Sequence, residues 1–177
     1  MTREAFHRWA EAQPRGRFER VGGEVVAMAP ERWIHASVKA RIWRALDREI
    51  TDRGLPCQAA PDGMTVEVGD DTDYEPDALV NCGPPMADDA TVAPSPIVIV
   101  IVEVLSPSTA SIDASGKLAD YFLVPSVQHY LLVRPARREF IHHRRLGDGI
   151  ETRVLRDGVV VLDPPGIELI LEEVFGG

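Results

Sequence analysis

Two carboxylates and one amine stand out by type and placement: Asp77 directly after Pro76, Glu103 inside the apolar run from Pro96 to Leu105, and Lys117 in the segment beyond. The run Pro-Ile-Val-Ile-Val-Ile-Val-Glu-Val-Leu is β-branched almost throughout and reads as a strand buried on both faces. An unpaired carboxylate is costly in such a place, so Glu103 requires a cation, a donor cluster or water beside it. Asp77 stands at the entry of a second short strand, Asp77-Ala-Leu-Val80. Where those two strands are neighbours, their acids make a hard, oxygen-rich site suited to Mg²⁺ or Mn²⁺, and a carbonyl such as that of Val104 could complete the shell. An amine such as Lys117 would then polarise or help deprotonate an attacking water, or balance charge on a phosphate oxygen. That chemistry is metal-assisted phosphodiester hydrolysis.

The elements that must position these groups can be read in order. Thr2 to Ala12 predicts a short amphipathic helix with Phe6 and Trp9 on one face, closed by Pro14. Phe18–Val21 and Glu24–Met28 flank Gly22-Gly23, a two-residue hairpin signal. From Trp33 to Asp52, Ile34, Val38, Ile42, Leu46 and Ile50 recur at helical spacing, with Lys39, Arg41, Arg44 and Arg48 off the stripe and Gly54 placed to cap the end. Strands are expected at 57–60 and 64–68, and the acidic run Gly69 to Asp73 reads as a solvated turn. After Pro107, Ser111 or Asp113 can cap a helix carrying Lys117, Leu118, Tyr121 and Phe122. A second hairpin is expected from 129–133 and 139–143, followed by short strands at 152–155, 159–162 and 167–171.

The totals fit this reading. The chain has 177 residues, enough for one domain spanning 1–177, and 14 Pro with 14 Gly imply many turns in a mixed α+β chain. Cys57 and Cys82 lack CxxC spacing, which argues against a disulfide framework and a cysteine zinc site. With no signal peptide and no apolar run near the roughly 18 residues of a membrane helix, a reducing cytoplasm is the default expectation. The net charge of −9 argues against wholesale non-specific binding to nucleic acid, although a local basic patch could still exist. Two candidates are Arg134, Arg137, Arg138, Arg144 and Arg145 with His142 and His143, and the basic residues of the long helix.

The order Pro76-Asp77, Glu103-Val104 and then a lysine resembles the PD-(D/E)XK nuclease superfamily, and more closely the Uma family of restriction endonucleases within it. The resemblance runs nearly the whole length. It rests on Val21-Gly-Gly-Glu-Val-Val-Ala-Met-Ala-Pro30 followed by His35, on Pro76–Val80, on Val102-Glu-Val-Leu-Ser-Pro-Ser-Thr109, on Asp113 and Lys117–Tyr121, and on Tyr130–Val133. It departs from the wider superfamily at Leu105, where a lysine is expected; in the Uma group that lysine has moved to the next helix, here Lys117. The resemblance implies a restriction-endonuclease-like mixed central sheet flanked by helices, a Mg²⁺- or Mn²⁺-dependent endonuclease activity on nucleic acid, with DNA the expected substrate, and a site lined also by Glu24 and His35. Nucleases that cut both strands often pair, so a homodimer is a further expectation.

Other readings of the same residues remain open. Glu103 and Lys117 could form only a buried salt bridge, Asp77 could cap a turn, and the fold could serve as an inactive module that binds nucleic acid or protein. Asp70, Asp71 and Asp73 lack the glycine and terminal glutamate of a calcium loop. Ser106 and Ser108 have no histidine–acid pattern near them.

Overall fold

The structure, a computed structural model, describes residues 1–93, 97–105 and 113–176. Helix α1 (Arg3–Glu11) precedes the hairpin β1 (Phe18–Val21) and β2 (Glu24–Ala27), the long helix α2 (Trp33–Arg53), and strands β3 (Cys57–Pro61), β4 (Val66–Val68), β5 (Thr72–Tyr74), β6 (Ala78–Cys82) and β7 (Val98–Val104). Helix α3 (Asp113–Tyr121) leads to β8 (His129–Arg134), β9 (Glu139–Leu146), β10 (Gly149–Leu155), β11 (Val159–Leu162), β12 (Ile167–Ile170) and a last short helix, α4 (Leu171–Phe175). Local chemistry explains the ends. Thr2 Oγ1 accepts the Ala5 N–H at the start of α1, and Gly54 closes α2 in the left-handed region at φ 61°. Gly22 and Gly23, both at positive φ, make the tight turn between β1 and β2.

Six strands form a mixed sheet in the order β10-β9-β8-β7-β6-β3, in which β7 and β8 run parallel and the other neighbours antiparallel. The parallel pair needs a crossover connection, and α3 lies within it. One face of this sheet packs on α2, the β11–β12 hairpin and α4 through Ile42, Leu46, Val102, Leu131, Phe140 and Leu169. The other face carries Leu79, Ile101, Tyr130 and Leu132 against Tyr121 of α3 and against Val66, Val68 and Tyr74 of a four-stranded sheet ordered β2-β1-β5-β4. The strand expected to be buried on both faces is β7, which lies between β6 and β8 under both layers.

Several expectations change. Cys57 and Cys82 are cross-strand partners on β3 and β6 and are joined as a disulfide, so the argument from their spacing fails: 25 residues apart in the chain, they sit directly opposite in the sheet. The acidic run is a turn only through Asp71; Thr72–Tyr74 is a strand, and Asp73 is buried between Arg3 and Arg20 at 2.6 and 2.5 Å. The strand expected at 152–155 begins at Gly149, and the chain after Ile170 turns into α4. Ser106, Ser108 and Ser111 lie outside the described residues. No helix among the described residues is long and apolar enough to cross a membrane.

A buried imidazole pair ties β8 and β9 to the loop before β12. His129 Nε2 lies 2.9 Å from the Pro164 carbonyl, which can only accept, so Nε2 carries the proton; Nδ1 then accepts from His142 Nε2 at 2.9 Å. Burial holds both imidazoles well below their ordinary range, at about 4. A depressed folded-state value gives stability that is complete above the unfolded value near 6.5 and is lost as pH falls toward 4. The denaturation midpoint should therefore fall between pH 6.5 and 4, and His129→Gln with His142→Gln should flatten that fall. An equal fall in the double variant would show that the pair is not responsible.

Candidate active site

The first acid sits at the open end of the β6–β7 ladder. Ala78 pairs with Val102; one residue earlier, Asp77 N–H donates to the Val102 carbonyl at 3.0 Å, and its Oδ2 accepts the Val104 N–H at 2.6 Å. β6 begins only at Ala78, so beyond the end of the ladder the aspartate side chain accepts the Val104 N–H in place of a backbone carbonyl. The register thus sets Asp77 opposite Glu103, the residue before Val104, at the same strand end. Both are buried, at 8% and 9% exposure.

Cations reach this strand end from both layers. From α2, the Lys39 amine binds Asp77 Oδ1 at 2.8 Å, Asp62 at 2.7 Å and also Glu31. From α3, the Lys117 amine binds Glu103 Oε1 at 3.0 Å and Glu19 Oε1 at 2.8 Å, and lies 4.8 Å from the centre of the Tyr74 ring. Tyr121 donates its hydroxyl to the same Glu103 oxygen at 2.8 Å. Glu19 is fixed in turn by the Glu75 N–H at 3.0 Å. Among the described residues, the contacts to Glu103 all fall on Oε1.

The charges are unbalanced. Five carboxylates, Glu19, Glu31, Asp62, Asp77 and Glu103, contact the two ammonium groups, and Arg17 also binds Asp62. Burial pushes Glu103 up to about 7, with the neighbouring Asp77 and Glu19 charges adding to it and Lys117 and Tyr121 opposing. Burial alone would lower Lys117, yet Glu103 and Glu19 outweigh it and hold the amine above the usual lysine range. Lys39 behaves alike: Asp77, Asp62 and Glu31 overcome its desolvation. Removing a buried partner leaves an uncompensated charge, so Lys39→Met should lower the unfolding free energy by about 3 kcal/mol in metal-free buffer. Unfolding curves with and without Mn²⁺ check this, and part of the loss should return with the cation. Unchanged stability without metal would make Lys39 a bystander.

Glu19 is absent from the candidates the sequence offers; Lys39, expected off the apolar stripe as part of a basic patch, is buried instead, at 6% exposure. His35 is also buried and lies one turn before Lys39 on the same face of α2. Glu24 is exposed at the start of β2, opposite Val21, on the hairpin face that also carries Glu19. The basic stretch after β8 is largely spent on structure. Arg134 pairs with Glu139, Arg138 binds the Gly176 carbonyl and Arg144 that of Asp163. Arg145 ties down the carbonyls of Phe122, Val124 and Val127.

Among the described residues, a different group brings three metal-ligating atoms within 4.8 Å of one another: His7, Glu67 and Asp73. Asp73 already holds two guanidinium groups, Arg3 and Arg20, one on each carboxylate oxygen. A cation there would meet two fixed positive charges, so that group is an ion-pair cluster. Asp77 and Glu103 each keep lone pairs beyond those used by their lysines.

A solved structure shares this architecture. A putative nuclease of the DUF820 group from Anabaena variabilis ATCC 29413 superposes with a TM-score of 0.75, covering 99% of this chain and 97% of its own at 15% identity, which shows a shared fold. Two uncharacterized proteins of Synechocystis sp., slr1290 and sll1609, are 27% identical over 150 residues and 28% identical over 142. They cover 84% and 78% of this chain and 76% and 77% of their own lengths. The Uma2 family profile, described as "Putative restriction endonuclease", matches residues 3–173, and this chain belongs to that family.

Proposed function

We infer that the protein is a divalent-metal-dependent endonuclease that hydrolyses phosphodiester bonds in DNA, with Asp77 and Glu103 as the metal-holding carboxylates. The observation that carries this reading is that the β6–β7 register sets the two buried acids opposite each other at one strand end, with the Lys117 amine on Glu103. The donor set suits Mg²⁺ or Mn²⁺: carboxylate oxygens only, without thiolate or imidazole in contact with them among the described residues, and with carboxylates in excess of the two ammonium groups. When bound, such an ion supplies Lewis-acid polarisation of the phosphate and lowers the pKa of a water.

The chain's own groups do the rest. Asp77 is locked by the Val104 N–H, and Glu103 by Tyr121, so the two acids are preorganised on rigid strands. Lys117 stays protonated while Glu103 and Glu19 flank it. Its role is therefore electrostatic: a cation for developing negative charge on a phosphate oxygen, not a base toward water. Glu19 holds the amine in place from the opposite side.

Plasmid nicking tests the reading. Supercoiled DNA with Mg²⁺ or Mn²⁺ should be nicked by the wild type, and chelator should stop it. Nicking that persists with chelator present, or equal nicking by Asp77→Asn, would contradict it.

A further inference from the structure

Strand β10 ends the six-stranded sheet, and its outer backbone edge has no strand beside it among the described residues. It is seven residues long, Gly149-Ile-Glu-Thr-Arg-Val-Leu155, and all but the last are exposed. Free edges of this length are normally short, bulged, lysine-bearing or covered, because they template pairing with another chain. β10 is neither bulged nor interrupted by proline: it pairs with β9 in unbroken register from Gly149 to Leu155, and its two charges, Glu151 and Arg153, are of opposite sign.

The order of side chains along β10 is complementary to itself. Around Thr152, an antiparallel copy of the same strand places Thr152 opposite Thr152, Ile150 opposite Val154 and Glu151 opposite Arg153. Residues facing each other across an antiparallel pair share a face. Ile150, Thr152 and Val154 lie on the face of their β9 partners Arg145, His143 and Ile141, the face that carries Tyr130. Ile150 and Val154 are 43% and 53% exposed, more than apolar side chains on a working sheet face need to be. Glu151 and Arg153 lie on the opposite face and in that pairing would form two reciprocal ion pairs. One face thus becomes an apolar ladder and the other a charge ladder.

We propose that β10 is the interface through which two copies of this chain join, antiparallel, about a two-fold axis at Thr152. The interface is isologous, as closed homodimers require. It fuses the two six-stranded sheets into one continuous sheet. Because the axis stands perpendicular to that sheet, both Glu103 side chains come to the same side. The two β7 strands are then seven strand spacings apart, on the order of 34 Å along the sheet. The pairing does not depend on any reading of the active site.

Sedimentation equilibrium on the full chain at 150 mM salt tests it with four proteins. The wild type should dimerise. Glu151→Arg sets arginine against arginine and Arg153→Glu sets glutamate against glutamate, so each alone should weaken the dimer by roughly 10-fold or more. The doubly reversed E151R/R153E protein should recover the dimer. Mixing the two single variants should also give a dimer, because each then offers the charge the other lacks; this arm shows that both are folded. A wild type that stays monomeric to about 100 μM overturns the proposal, including the case in which the edge serves a strand of another protein. A dimer indifferent to both reversals, or a mixture that stays monomeric, overturns it as well.

Discussion

Glu103→Gln is expected to remove chelator-sensitive nicking by about 10³-fold or more while the protein stays folded. Glutamine keeps the shape and an oxygen for Lys117 and Tyr121, so the loss isolates the negative charge. The same variant should change stability in a defined direction. Glu103 is raised to about 7 chiefly by burial, so its contribution to folding is complete below the ordinary carboxylate range and declines as pH rises through 7. The metal-free wild type should therefore lose stability between about pH 4.5 and 7, and Glu103→Gln should lose less. This runs opposite to the imidazole pair, which destabilises on acidification, so the two variants separate the two effects. Cation binding needs the ionised carboxylate and should strengthen toward pH 7, by at most about tenfold per unit. Full activity in Glu103→Gln, or an unchanged pH profile of stability, would remove Glu103 from the account.

Lys117→Met is expected to lower kcat by about 10²- to 10³-fold while Mn²⁺ binding is kept or tightened. The amine lies between two carboxylates, Glu19 and Glu103, and removing it leaves more negative charge for a cation to neutralise. A role as metal-site scaffold alone predicts the reverse, weaker binding with the turnover of the loaded protein unchanged. Calorimetric titration of Mn²⁺ beside single-turnover nicking separates the two. Lys117→Arg should restore part of the rate, because the charge is kept in a different shape. Unchanged kcat in Lys117→Met would contradict the electrostatic role.

The strand that carries Glu103 was legible because its burial is written into an unbroken β-branched run, and one carboxylate inside it demands a partner. Asp77 and Lys117 followed from their placement around it and from a resemblance that carried most of the weight. Lys39 was hidden by the logic of the helical stripe. It lies on the buried stripe, three residues before Ile42 and seven before Leu46, but a lysine is assigned to water by default. Its stem instead lies along the core and delivers the amine to Asp77. Glu19 was hidden because a four-residue strand holding Glu-Arg reads as surface. Both residues are buried because β1 runs between two partners, sending Glu19 to Lys117 and Arg20 to Asp73. The cross-strand cysteines and the pairing of β5 with β1 depend on which strands become neighbours, which no local pattern encodes. The arginine-rich stretch misled in the same way: alternation in β9 sends Arg144 and Arg145 to opposite faces, where each closes carbonyls.

The central claim is that Asp77 and Glu103 together hold one divalent cation. A crystal soaked in Mn²⁺ and measured at the manganese absorption edge tests it most directly. The account predicts an anomalous peak within bonding distance of one oxygen from each acid, absent in Glu103→Gln. Anomalous density confined to the His7, Glu67 and Asp73 cluster, or none beside Asp77 and Glu103 at saturating Mn²⁺, would contradict it.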